Sequence, residues 1–271
     1  MAKRAICIGI NDYPGTDLDL NGCVNDAKDW AGQLRTRGYA VTFLLDRQAT
    51  GAAIRQAIRA TLAQTTARDS TVIQYSGHGS YIADRNGDEA DGRDECVCPH
   101  DVMTKGPIVD DELFELYSAR HPKSRLFVVS DSCHSGTVAR FMPISLPAST
   151  RGRHAPRRLV RFLPPGTFLS KPKLAPLEAG SALRRSSQPG RHAGLLLAAC
   201  QDAQYSYDAV FAERPNGAFT YVALKTLREL PGSATYADWF KHIRRALPSQ
   251  QFPQTPNLFG ATSMKAWRVL A

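Results

Sequence analysis

The sequence predicts an α/β protein with a mostly parallel central sheet and helices on both faces. Three observations carry this. The apolar runs at 71–75 and 126–129 have the near-continuous hydrophobicity of strands buried on both sides. Segments of helical periodicity alternate with them, the pattern of a parallel sheet. Both runs also end in small polar residues carrying a histidine or a cysteine, at the strand ends where such sheets do chemistry.

In chain order, residues 3–11 read as the first strand. Val24, Ala27, Trp30, Ala31 and Leu34 then recur at helical spacing, giving a helix from about 23 to 36 that closes before Gly38. Residues 40–45 form the next strand, and Thr50 N-caps a helix with Ile54, Ile58 and Leu62 on one face. The strand leading into Ser76-Gly77-His78-Gly79 comes next, then an acidic loop at 84–101, a helix at about 110–119, and the strand that ends at Asp131-Ser132-Cys133. From 141 to 192 the pattern dissolves into a segment holding eight of the seventeen prolines, read as a long mobile linker. Only Leu159-Val160-Arg161-Phe162-Leu163 is apolar enough there to dock elsewhere. Order resumes with a buried strand at 195–200, helices near 218–229 and 236–247, and a last strand around 264–270.

The net charge of +9 is not spread over a folded face. Between Arg140 and His192 there are eleven Lys/Arg against one acid, Glu178, so the rest of the chain sums to −1. Nucleic-acid or anionic-membrane binding is therefore a secondary reading, since no stacking aromatics accompany the basic run. The apolar stretch at 5–10 is too short for a signal peptide, and no run approaches the ~20 residues that cross a bilayer. A cytoplasmic protein is expected. Six cysteines without zinc spacing favour neither a metal cluster nor a disulfide framework.

A thiol attacks a carbonyl as thiolate, and a neighbouring imidazole can take its proton. Cys133 and His78 are placed for this, with the amides of Gly79 and Cys133 as an oxyanion hole. Side chains alternate along a strand, so Asp131 shares a face with Cys133, and Ser76 with His78. A buried carboxylate needs a cationic partner; if the protein supplies none, a substrate Arg or Lys can.

Tyr-Ser-Gly-His-Gly at 75–79, Asp-Ser-Cys-His-Ser-Gly at 131–136 and Gly22-Cys23-Val24-Asn25-Asp26 together resemble the metacaspases, including bacterial orthocaspases, of the caspase clan. The His-to-Cys interval of 55 residues fits as well. The resemblance continues in 199–206, 217–220 and 254–256. It implies a caspase-like α/β/α sandwich: a large catalytic subunit region at 1–140, a basic proline-rich linker at 141–193 and a small subunit region at 194–271, together one domain. It implies a Cys133–His78 dyad, and cleavage after Arg or Lys in a pocket of Asp26, Asp131 and Ser76. Protein or peptide substrates and a monomeric enzyme are expected.

No cofactor is required for the chemistry. Asp84, Asn86, Asp88 and Glu95 have EF-hand offsets, but Glu89 stands where that loop needs glycine. The family pattern instead places calcium on Asp94, Asp110 and Asp111, with Arg140 where a fourth carboxylate belongs, so at most modest calcium stimulation is expected. Self-cleavage in the linker is implied too, with Arg151, Arg153, Arg157, Arg158, Arg184 and Arg185 as candidate sites. A cysteine phosphatase is disfavoured, because its loop has five residues between Cys and Arg and this chain has six. A catalytically silent scaffold is the remaining alternative.

Overall fold

The computed structural model describes residues 1–87, 92–133, 158–179, 193–201 and 204–271. The first half is built by alternation. Strand β1 (Lys3–Gly9), helix α1 (Cys23–Arg35), β2 (Ala40–Leu45), α2 (Gly51–Ala63) and β3 (Ser70–Ser76) keep the expected order. A hairpin of β4 (Gly79–Ala83) and β5 (Arg93–Val97) comes next, then α3 (Val102–Lys105), β6 (Ile108–Val109), α4 (Asp110–Ser118) and β7 (Arg125–Asp131). The rest comprises β8 (Leu159–Val160), α5 (Pro165–Phe168), α6 (Lys171–Ala179), β9 (Leu195–Ala198), β10 (Tyr207–Phe211), β11 (Arg214–Gly217), α7 (Ala218–Arg228), α8 (Tyr236–Ala246), β12 (Asn257–Phe259) and α9 (Thr262–Lys265).

The main sheet has the order β12-β9-β7-β3-β1-β2, parallel except for β12. Alternate side chains feed two cores, as a two-residue period requires. Ala5, Cys7, Phe127 and Val129 pack with Trp30 of α1, Phe219 of α7 and Trp239 of α8. Ile6, Ile8, Ile73 and Val128 pack with Ile54 and Ile58 of α2 and Leu116 of α4. Each such aliphatic side chain contributes about 1.5–3 kcal/mol by leaving water. The α/β/α layering expected from the sequence is thus what forms.

Helix starts show how local chemistry sets the boundaries. Thr50 Oγ1 accepts from the Ala53 amide, and Thr235 and Asp238 form a capping box at α8. Gly22 has no side chain to cap α1, so Asn11 reaches over from the end of β1 to accept from the Cys23 and Val24 amides at 2.8 and 3.3 Å. This ties the β1–α1 loop to the helix that carries Asp26.

Three expectations need correction. Residues 264–270 form no strand: α9 ends at Lys265, and the chain beyond it makes a single bridge, Thr235 to Arg268. The acidic loop at 84–101 contains β5, whose backbone pairs with β4 despite its charged sequence. The linker docks through 159–163, as its apolar run allows, but it is also ordered beyond that run, in α5 and α6. Strand β8 pairs with β10, and Phe162, Leu163, Pro165 and Leu177 are buried. Apolar side chains on either side of Arg161 make that docking favourable. Among the described residues no helix is long and apolar enough to cross a membrane.

Candidate active site

The tips of β3 and β7 lie side by side, with Ser76 opposite Asp131 in the register. His78 and Cys133 lie just beyond these tips and are both buried. His78 Nε2 lies 2.6 Å from the Leu18 carbonyl, which accepts its proton and leaves Nδ1 as the basic nitrogen. Among the described residues that Nδ1 has no hydrogen-bond partner. Burial lowers the imidazole to about 4, with the Leu18 carbonyl opposing, so the ring is neutral at pH 7. The strand end is fixed from behind: Tyr13 Oη accepts from the His78 amide at 2.7 Å, and Tyr75 Oη donates to the His78 carbonyl at 2.7 Å. Gly77 is needed for this approach, because a Cβ there would lie 2.6 Å from both tyrosine oxygens.

The amides of Gly79 and Cys133, the two candidate oxyanion-hole donors, converge on one acceptor. Each is 3.1 Å from the carbonyl oxygen of Arg161. Cys133 Sγ accepts from the Ser206 amide at 2.6 Å. Cys200 packs beside it, its own thiol held well above the ordinary range by the Cys133 thiol and by burial.

The side chain of Arg161 is fully buried among three carboxylates. Nη2 lies 2.6 Å from Asp26 Oδ2 and 3.2 Å from Asp208 Oδ1, and Nη1 lies 3.1 Å from Asp131 Oδ2. Nη1 also donates to the Asp131 carbonyl at 3.1 Å. The acids are held in turn. Asp131 accepts from Ser206 Oγ at 2.6 Å, and from Thr220 Oγ1 and the Thr220 amide at 2.7 and 3.1 Å, in the first turn of α7. Asp26 accepts from Asn216 Nδ2 and the Gly217 amide at 2.9 and 3.0 Å. Asp208 accepts from the Asn21 and Gly22 amides at 2.7 and 3.0 Å. Burial pushes the Asp26 carboxyl up to about 7; the Arg161 guanidinium opposes that and the Asp131 charge adds to it. At Gly217 a Cβ would lie 2.3 Å from Asp131 Oδ2, so only glycine leaves the pocket open.

Asp26 and Asp131 are thus brought together around one guanidinium. Ser76 is buried nearby but takes its hydrogen bond from Gln74 Nε2 at 2.8 Å rather than from Arg161. Asp208 was missed by sequence reasoning, although it lies two residues beyond Ser206, on the same face of an extended chain. Leu18 acts through its carbonyl, which leaves no trace in residue type. Arg161 has nothing in its type to set it apart from the other linker cations. Of the six candidate cleavage sites, Arg158 is exposed and donates to the Gln251 carbonyl. Arg151, Arg153, Arg157, Arg184 and Arg185 lie outside the described residues, as do His134 and Arg140.

Asp94, Asp110 and Asp111 come near one another at the β4–β6 sheet. Burial raises Asp94 to about 6, with Asp84 and Asp111 adding, and raises Asp110 to about 6, with Asp111 adding. Asp111 Oδ2 accepts from Asn86 Nδ2 at 2.6 Å. Among the described residues no three His, Cys, Asp or Glu side chains are arranged to hold one ion.

A thiol and an imidazole at neighbouring strand tips, with two amides converging on a carbonyl between them, define a caspase-type cysteine-peptidase domain. Residues 2–266 match the Caspase domain family, and the chain belongs to it. It is 32% identical to metacaspase-3 of Arabidopsis thaliana over 246 residues, 86% of this chain and 62% of that protein. It is 29% identical to metacaspase-1 of Mycosarcoma maydis over 288 residues, 94% of this chain and 69% of that one. The chain therefore spans roughly two thirds of the length of these relatives. A solved structure of a protein from Geobacter sulfurreducens superposes with a TM-score of 0.73 at 29% identity, covering 100% of this chain and 98% of that one.

Proposed function

We propose that this caspase-family cysteine peptidase is an endopeptidase that cuts after Arg or Lys in proteins and peptides. Cys133 is the nucleophile, and its thiol proton passes to His78 Nδ1. The Gly79 and Cys133 amides stabilise the oxyanion, and Asp26, Asp131 and Asp208 select the cation. One observation carries this: Arg161 lies in the site as a substrate residue would, its guanidinium buried between carboxylates and its carbonyl on the two amides. The two Nη atoms meet separate acids, which favours Arg over the single ammonium of Lys.

The enzyme also processes its own basic linker, and acts as a cytoplasmic monomer without a required metal. A fluorogenic panel with Arg, Lys or Asp before the scissile bond tests the specificity, run on an Arg161→Ala chain so that the pocket is vacant. Hydrolysis of arginyl over lysyl peptides, abolished by Cys133→Ala, is the expected result. Equal turnover of the aspartyl peptide would refute the acidic pocket. Replacing calcium by a chelator in the same assay should change rates by no more than a few-fold.

A further inference from the structure

Both sides of the Arg161–Phe162 bond are anchored. Before the bond, Arg161 is locked by its three acids, its amide donates to the Ser206 carbonyl at 3.0 Å, and β8 pairs with β10. After it, the Leu163 amide donates to the Gly79 carbonyl at 2.9 Å, and Ser80 Oγ donates to the Leu163 carbonyl at 2.6 Å. Leu163 is 0% exposed and Phe162 8%. The Phe162 ring stacks on Tyr81, centroids 6.0 Å apart and planes at 19°, with Tyr205 on another side at 6.3 Å. Pro165 of α5 and Leu177 of α6 are buried beyond it. The chain on the leaving side therefore does not depend on the bond for its position.

We propose that the site reforms the Arg161–Phe162 bond faster than water can hydrolyse it, so that residues 159–163 act as a resealing plug. The proposal rests on the peptidase reading above and concerns the fate of this one bond. In the forward direction the Cys133 thiolate attacks the Arg161 carbonyl carbon. The C–N bond breaks, and the imidazolium of His78 gives its proton to the Phe162 nitrogen. The products are a thioester and a neutral amine. In the reverse direction that amine attacks the thioester carbon, the C–N bond reforms, the thiolate leaves, and His78 recovers the proton. No atom is gained or lost, and no co-reactant is needed.

Which reaction consumes the thioester is a question of relative concentration. A diffusing product would be replaced by water. An amine held in place has an effective molarity of about 10⁵–10⁸ M, far above that of liquid water. The buried surroundings of Cys133, His78 and Leu163 also leave water little room. The same segment thereby keeps the acidic pocket filled until the linker is cut elsewhere and the plug can leave.

The full chain tests this by intact mass, in buffer and in buffer with hydroxylamine, a strong small nucleophile that intercepts thioesters. Wild type should stay joined between 161 and 162 in buffer, whatever cuts occur elsewhere in the linker. It should accumulate a chain ending in the Arg161 hydroxamate when hydroxylamine is present. Leu163→Ala frees the leaving side and should be cut by water at this bond at least about tenfold faster than wild type. Ser80→Ala, which removes one anchoring hydrogen bond, should show the same change more weakly and covers the case in which Leu163→Ala fails to fold. Hydrolysis of wild type at 161–162 as fast as in these variants would overturn the proposal, as would absence of the hydroxamate. Arg161→Ala assayed on an arginyl peptide separates the two readings. If it hydrolyses that peptide while the plug predictions fail, only the resealing is wrong; if it is inert, the peptidase reading falls with it.

Discussion

The two sides of the Arg161–Phe162 bond are held by opposite kinds of force. On the arginine side the binding energy is electrostatic and concentrated in Asp26, Asp131 and Asp208, each itself held by amides or hydroxyls. On the phenylalanine side it is apolar and spread over Phe162, Leu163, Pro165 and Leu177, with two hydrogen bonds fixing the direction. The comparison teaches that recognition and retention are separate functions of one groove. On the proposed reading the charged half decides which residue enters, and the apolar half decides how long the other end stays.

The sharpest way to break the charged half is Asp131→Asn. The Asp131 carboxylate pairs with the guanidinium and accepts from the Ser206 and Thr220 hydroxyls and the Thr220 amide, so the variant leaves a buried cation poorly matched. Removing one partner of such a pair costs about 3–5 kcal/mol, which is some 10²–10³-fold or more in kcat/KM for arginyl peptides in an Arg161→Ala background. An unchanged kcat/KM in the Asp131 variant would remove the carboxylates from recognition.

Leu163→Ala attacks the apolar half. Loss of a fully buried leucine costs about 2–5 kcal/mol of stability, measured by urea unfolding in a Cys133→Ala background to prevent cutting. That loss should be insensitive to salt. A strong salt dependence would show that the two halves are not separable.

Acidity should destabilise the fold through His78. Its folded pKa of about 4 lies below the ordinary 6.5, so between those values the unfolded chain binds more protons and stability rises with pH. Above about pH 6.5 the contribution is complete; it is lost as pH falls towards 4, and amounts to at most about 3 kcal/mol. Urea midpoints of Cys133→Ala from pH 4 to 7, compared with Cys133→Ala/His78→Gln, read it out. Identical slopes for the two would refute it. The smallest effect belongs to Arg158→Ala, an exposed residue on the charged side, which should change stability by no more than about 0.5 kcal/mol.

Much of this arrangement was legible in residue order. The strands at 71–75 and 126–129 announce themselves by near-continuous hydrophobicity, and α1 and α2 by their periodic apolar faces. Asp131 could be placed beside Cys133 because side chains alternate along a strand. The parts that escaped did so for physical reasons. The strand β5 reads Arg-Asp-Glu-Cys-Val, and its pairing with β4 is set by tertiary contact, not propensity. Around 264–270 apolar residues mimic a strand, yet Trp267 packs against the core from a turn. Arg161 was hidden among ten other cations. Charge did not distinguish it; its apolar neighbours did, because they let this arginine be carried into the interior with them.

The loop between β1 and α1 has more to do than join them. Its Leu18 carbonyl sets which imidazole nitrogen is basic, its Asn21 and Gly22 amides hold Asp208, and its end launches the helix bearing Asp26. On the proposed reading, catalytic rate and choice of residue are both wired through one short stretch of backbone. A substitution that reshaped it would make the enzyme slower and less discriminating in the same stroke, even though no side chain of that loop enters the reaction.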